Sequence, residues 1–306
     1  MIEIFLPFVN QLLSYCGFKP SQLPAKYYRD LVTAFCDLPN QQVILIPSLV
    51  ALAQACPGRL IIDDTGNPKY GLKPFLQSLK NHATGQYFKG YRVLMFLWKA
   101  GNLRIPIGFA LCHAQSLKPQ ELSLKGLSIL RNHYHLKPLM VLGDAAFSTD
   151  EITKRLDDYG WGFVFRSKKN RKISGKQSQH LIARGYGEYC GLLENGVKLK
   201  LVRRKRFWVI CNRLSLKGQK ILEIYRNRWG IEEVFRFLKS CIGLNRCHQH
   251  SMKAQAIYLI LCLLLASCFE LHSEHCGYSN YYLYRQVILG QLPIENILKP
   301  KLFDLS

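Results

Sequence analysis

The chain is short of acid. Of its 306 residues only 20 are Asp or Glu, against 42 Lys or Arg, which leaves a formal net charge of +22. A surface so poor in carboxylates repels itself unless a polyanion lies against it. DNA or RNA is the expected partner, because neutralising phosphates releases counterions. A ribosome-associated or membrane-surface protein is the plainer alternative.

Paired cysteines are also missing. The eleven cysteines are scattered, none falls in a Cys-x-x-Cys pair, and the count is odd. Free thiols in a reducing cytosol fit this better than a disulfide framework. Cys247, His248 and His250 lie close together, as do His133 and His135, but the paired spacing of a zinc module is absent, so no structural metal is expected. A clean membrane span is lacking too. The apolar stretch Ala254 to Leu271 is interrupted by Gln255 and Glu270, whereas a span needs roughly 18 or more clean apolar residues. A buried helix is expected there, and no membrane. The opening MIEIFLPFVNQLL has neither the basic n-region nor the small-residue cleavage site of an export signal. A cytoplasmic protein is expected, and one with no internal repeat or low-complexity tract.

Hydrophobic residues make up 48% of the chain, enough for a sizeable core. Residues 1–57 read as short helices, with Phe5, Phe8, Val9, Leu12 and Leu13 at helical spacing, a helix opening at Ser21 and another over Ser48 to Ala55. Pro57-Gly58 then breaks the chain. Arg59 to Asp64 is an apolar run ending in acid. Tyr91 to Ala100 and Leu103 to Cys112 make a hairpin about Gly101-Asn102. A helix over Gln120 to Tyr134 leads to a third apolar run, Pro138 to Asp144, again ending in acid. Ser148-Thr149-Asp150-Glu151 has capping-box spacing and starts a helix to about Asp158, with Asp150 as a helix-start residue. Strands follow at Trp161 to Arg166 and Phe207 to Cys211. Between them the basic, glycine-containing residues 167–206 read as a small β-rich insertion. A long helix from Lys217 to Cys241 and the apolar helix follow. The expected architecture is α/β, a mixed sheet flanked by helices. Its domains are a helical region at 1–57 and an α/β domain at 58–306 that ends in helices over 217–306. Apolar strands ending in Asp put carboxylates at the sheet's carboxyl edge, where open α/β sheets keep their sites.

The long helix carries the sharpest pattern. At about 100° per residue, Ile231, Phe235, Leu238 and Ile242 form a core stripe, and Tyr225, Arg228, Glu232 and Lys239 share one narrow polar face beside it. A half-buried carboxylate flanked by cations and a phenol suits metal and phosphate together. A solvated face with an Arg228–Glu232 ion pair is the simpler explanation, but it leaves the alignment of Tyr225 and Lys239 unexplained. Glu233 falls off this line and is expected to face solvent. Trp229 is expected in the core, with stacking on a displaced base as its other option. The basic words Arg166 to Lys172 and Arg203 to Arg206, with Lys69 and Lys73, are candidates to grip phosphates.

The spacing Tyr225-x2-Arg228-x3-Glu232-x6-Lys239 resembles the signature of a large group of bacterial insertion-sequence transposases of the DDE type, within the RNase H-like superfamily. Arg228-Trp229-Gly230-Ile231-Glu232, Asp63-Asp64-Thr65-Gly66 and Gly143-Asp144-Ala145-Ala146-Phe147 resemble its other blocks. The likeness spans about residues 58–245. It implies an RNase H-like fold and a triad of Asp64, Asp144 and Glu232 binding two Mg²⁺ (or Mn²⁺) ions about 3.5–4 Å apart. It also implies Tyr225, Arg228 and Lys239 on the DNA near the scissile phosphate. The partners would be double-stranded transposon-end and target DNA, held by a homodimer on paired ends at the bacterial nucleoid. The family's Asp directly before Thr selects Asp64 as first ligand. Asp63 competes, since neighbours on a strand face opposite ways and only one can face the site. A nuclease on the same fold that cuts without joining, and an inactive DNA-binding relative, are the competing functions.

Overall fold

Three consecutive residues with no exposed surface, Leu60, Ile61 and Ile62, mark the centre of the sheet, because only a strand covered on both faces is apolar at every position. The computed structural model describes residues 42–69, 75–80, 84–182, 185–247 and 251–298. The helices expected around Phe5 to Leu13 and from Ser21 lie outside the described residues.

The central strand is β2 (Arg59–Pro68). On one side it pairs antiparallel with β4 (Tyr87–Ala100), which pairs with β5 (Leu103–Cys112), which pairs with the short β1 (Val43–Leu45). β3 (Gln77–Lys80) lies along the start of β4. On its other side β2 runs parallel to β6 (Val141–Gly143), and β6 runs parallel to β7 (Phe163–Arg166). The sheet continues antiparallel through β12 (Phe207–Cys211), β11 (Lys198–Arg204) and β10 (Tyr186–Leu192). Among the described residues, only the small hairpin of β8 (Lys172–Ile173) and β9 (Lys176–Gln177) stands apart. The expected insertion is therefore β-rich, but its two longest strands extend the main sheet.

The β4–β5 hairpin turns at Gly101-Asn102, where Gly101 takes φ +57, a conformation that costs a residue without Cβ little. Pairing slips by one residue between Phe96 and Leu97, beside Pro106, which has no N–H to offer the ladder. β1 corrects the expectation of helix throughout residues 1–57, since Val43-Ile44-Leu45 find an open edge on β5.

Helices cover both faces. α1 (Pro47–Ala55) packs on β5 and α2 (Pro119–Asn132) on β1 and β4. α3 (Asp150–Asp158) begins one residue later than the capping-box spacing implied. Thr149, not Ser148, caps it by accepting from the Ile152 N–H, and Ser148 turns back to donate to the Ala145 carbonyl. α4 (Ser178–Leu181) is a single turn.

The long helix expected over 217–241 is broken. α5 (Gly218–Arg226) ends in a tight turn, with the N–H groups of Asn227 and Arg228 bonding back to Ile224 and Tyr225. α6 (Trp229–Phe237) continues and then widens into a π-turn at Leu238–Ile242, closed by Gly243 at φ +88. The apolar α7 (Met252–Cys276) is a core helix, with 94% of its most apolar window buried inside the protein. α8 (Asn280–Ile288) and α9 (Ile294–Leu298) pack behind it. α6 and α7 lie on the face of β2 that carries Asp63, as the Arg228–Asp63 and Tyr91–Gln255 contacts show. α2 lies on the other face, where Gly126 sits against the ring of Phe96.

Candidate active site

Register decides which acids meet. Leu60, Ile61 and Ile62 of β2 pair in parallel with Val141, Leu142 and Gly143 of β6. The next residue on each strand is Asp63 and Asp144. Register partners in a sheet point to the same face, and neighbouring strands are about 4.8 Å apart. Asp63 and Asp144 are therefore side by side at the carboxyl edge of the parallel strands.

Glu232 arrives from α6 through an intermediary. Arg228 Nη1 donates to Asp63 Oδ2 at 2.5 Å, and Nη2 donates to Glu232 Oε1. Asp63 is firmly placed, because its Oδ1 also accepts from the Asp64 N–H at 2.9 Å. Asp144 Oδ1 accepts from the Ala146 N–H at 2.7 Å. Burial pushes the Asp63 carboxyl up to about 7; the Arg228 guanidinium opposes this, and the neighbouring charges of Asp144 and Asp64 add to it.

Asp64 faces the other way. Arg92 Nη1 of β4 lies 3.1 Å from its Oδ2 and 3.3 Å from its Oδ1. The structure thus brings Asp63, and not the expected Asp64, beside Asp144 and the Arg228–Glu232 pair. A strand reverses face at every residue, and the face is fixed by pairing with β6, not by the following Thr.

Tyr225 is buried, its ring 5.3 Å from that of Phe207 and 5.8 Å from the Arg228 guanidinium carbon. Burial pushes its hydroxyl up to about 12. Lys239 sits in the π-turn and donates to Thr65 Oγ1 at 2.5 Å, on the same face of β2 as Asp63. Burial holds its ammonium below the ordinary value. Arg228, Glu232 and Lys239 therefore line up along β2, while the tight turn at Asn227 sets Tyr225 on the helix before.

Three other expectations change. Trp229 is 51% exposed rather than in the core. It lines a cleft of about 1010 Å³ with Tyr225, Phe207, Arg166, Arg204 and Arg206. Glu233 is not simply solvated: Arg104 Nη1 lies 2.6 Å from its Oε2, and the same guanidinium holds Glu270, buried in α7, at 3.0 Å. Lys69 is buried and donates to the carbonyls of Cys247 (2.9 Å) and Asn245 (3.2 Å), so it anchors a loop and grips no phosphate. Lys73, His248 and His250 lie outside the described residues. Arg166, Lys168, Lys169 and Arg206 are exposed around a second concavity beside Ala145. Asp150 opens α3 as expected and pairs with Arg171 at 2.6 Å.

Among the described residues no three His, Cys, Asp or Glu side chains form a ready-made metal cage. The guanidinium of Arg228 stands between Asp63 and Glu232. The donors themselves are hard carboxylate oxygens, the chemistry that Mg²⁺ and Mn²⁺ prefer, so the set fits such ions once Arg228 turns aside.

Comparison with known proteins bears on the family and the fold. No curated protein sequence matches the chain. The piggyBac transposase, solved as a synaptic complex with hairpin DNA, superposes with a TM-score of 0.57 at 14% identity, over 92% of this chain and 61% of that one. The chain thus spans less than two thirds of that transposase, and the two share the RNase H-like mixed sheet. Human endonuclease V gives a TM-score of only 0.28 at 11% identity, over 79% of this chain and 98% of that one. The sequence profile of the transposase DDE domain matches residues 54–268, most of the chain, and the protein belongs to that family.

Proposed function

We propose that the chain cuts DNA at the ends of a mobile element and joins the freed end to target DNA, with Asp63, Asp144 and Glu232 as the acidic triad. The observation that carries this is the position of Asp63 and Asp144, each one residue beyond the paired Ile62 and Gly143, with Glu232 tied to Asp63 by Arg228. Family membership and the net charge of +22 support a DNA substrate.

Asp63, Asp144 and Glu232 would hold Mg²⁺ or Mn²⁺, two ions by the resemblance. When bound, these supply Lewis acidity that activates water or a 3′-hydroxyl and neutralises charge on the phosphate. In the first reaction water attacks the scissile phosphorus and the element's 3′ oxygen leaves as a hydroxyl. In the second that hydroxyl attacks a target phosphodiester, forming one P–O bond as another breaks. Arg228 leaves the carboxylates for the non-bridging oxygens of the phosphate, where a guanidinium binds in bidentate fashion. Lys239 adds a second positive charge from the Thr65 side. Tyr225 positions Arg228 under its ring, and Trp229 offers a surface for an unstacked base. A homodimer on paired ends at the nucleoid is the working assembly.

The test is purified protein with labelled end DNA and Mg²⁺. Joined product supports transposition. Cleavage without joining makes the chain a nuclease, and binding alone makes it an inactive relative.

A further inference from the structure

On the face of β2 opposite Asp63, Asp64 and Arg92 form a pair that the triad does not use. Arg92 lies two residues from Leu94, the register partner of Asp64, so both side chains leave the same face. The pair is half open to solvent, Arg92 at 34% and Asp64 at 18% side-chain exposure. It borders a cleft of about 500 Å³ lined also by Thr65, Lys80, Phe88 and Lys239. Lys80, on β3, is exposed.

The charge in this cleft is unbalanced. Among the described residues, three cations, Lys80, Arg92 and Lys239, and one carboxylate, Asp64, line it. The pairing of β2 with β6 ends at Ile62 and Gly143, so the stretch from Asp63 to Pro68 presents an edge that β6 leaves uncovered. Lys239, which reaches Thr65 on the Asp63 face, also lines the cleft and so joins the two faces at this edge. A phosphodiester carries one negative charge on two equivalent oxygens. It fits a guanidinium fork with a second cation beside it.

We propose that this cleft is a second phosphodiester subsite, in which Arg92 and Lys80 hold a DNA backbone phosphate away from the scissile bond. Asp64 holds Arg92 in position and offsets its charge until the DNA arrives. The inference rests on the reading of the chain as a DNA enzyme. Its chemistry is distinct from that of the triad, because it predicts a role for Asp64 opposite in sign to that of a metal ligand.

The test measures binding of a short random-sequence duplex to the full chain in EDTA, over a range of salt. Arg92→Gln and Lys80→Gln should each weaken binding and lower the salt slope by about one phosphate contact, and Arg92→Lys should keep the slope. Asp64→Asn should tighten binding, and the gain should vanish in the Asp64→Asn, Arg92→Gln double variant. If Arg92→Gln fails to fold, Lys80→Gln on its exposed strand decides. A steep slope in the wild type that Arg92→Gln and Lys80→Gln leave untouched overturns the subsite. A wild type with no salt-dependent binding overturns the DNA reading itself.

Discussion

Arg228 bridges Asp63 and Glu232, one guanidinium nitrogen on each carboxylate, across 165 positions of sequence from the first and one helical turn from the second. The cation occupies the space where an acidic triad would otherwise repel itself. Arg228→Ala leaves two partly buried carboxylates facing each other beside Asp144. Removing one partner of a buried pair costs about 3–5 kcal/mol. The melting temperature of the metal-free variant should fall, and Mg²⁺ should restore more of it than it adds to the wild type. Thermal melts with and without Mg²⁺ measure both effects.

The Asp63 carboxyl makes stability depend on pH. Its folded value is raised from 3.8 to about 7, chiefly by burial. The folded state therefore binds this proton more tightly than the unfolded chain, and the associated stability is present below pH 4 and lost as pH rises through 7. Denaturant titrations of the metal-free protein should show this decline, and Asp63→Asn should abolish it. A divalent ion needs the ionised form, so Mg²⁺ affinity should climb over the same interval in the wild type and stay flat in the variant.

Arg104 binds Glu270 with two nitrogens, Nη2 to Oε1 at 3.0 Å and Nε to Oε2 at 3.1 Å, while Nη1 holds Glu233. It thereby ties α6 to α7 and β5. Arg104→Ala should destabilise the fold by about 3–5 kcal/mol, since Glu270 is left buried with no cation and only the Asn280 amide as partner. Glu233→Gln removes a half-exposed partner and should cost about 1 kcal/mol or less. Urea unfolding of the two variants tests the contrast, and equal losses would contradict the assignment.

Trp229 is exposed, so Trp229→Ala should change stability by less than about 0.5 kcal/mol. Loss of a stacking platform should weaken binding of DNA with unpaired bases by about 1–3 kcal/mol. Fluorescence anisotropy with intact and gapped duplexes separates this from a general loss of affinity, which would affect both equally.

Much of the fold was legible because its signals are local. The β5 and β12 boundaries follow directly from apolar runs, the hairpin from Gly101-Asn102, and the burial of α7 from a long apolar stretch broken by Gln255 and Glu270. Distant pairings were not legible. Whether Asp63 or Asp64 faces the site depends on β6, some 80 residues away, and a slip of one residue inverts the answer. One clue was present in the sequence: Leu60-Ile61-Ile62-Asp63 and Val141-Leu142-Gly143-Asp144 are both an apolar triplet followed by Asp. A regular helical wheel also hid the tight turn at Asn227 and the π-turn at Lys239. These turn Trp229 outward and bring Lys239 to Thr65. Lys69 looked like a surface lysine because nothing nearby in sequence reveals the carbonyls of Asn245 and Cys247.

The most direct test compares Mg²⁺-dependent cleavage of end DNA by Asp63→Asn and Asp64→Asn at saturating DNA. The account predicts that Asp63→Asn loses about a thousandfold or more in rate, on the order of 4 kcal/mol of transition-state stabilisation, while Asp64→Asn still cuts. Abolished cleavage in Asp64→Asn together with a working Asp63→Asn would contradict it.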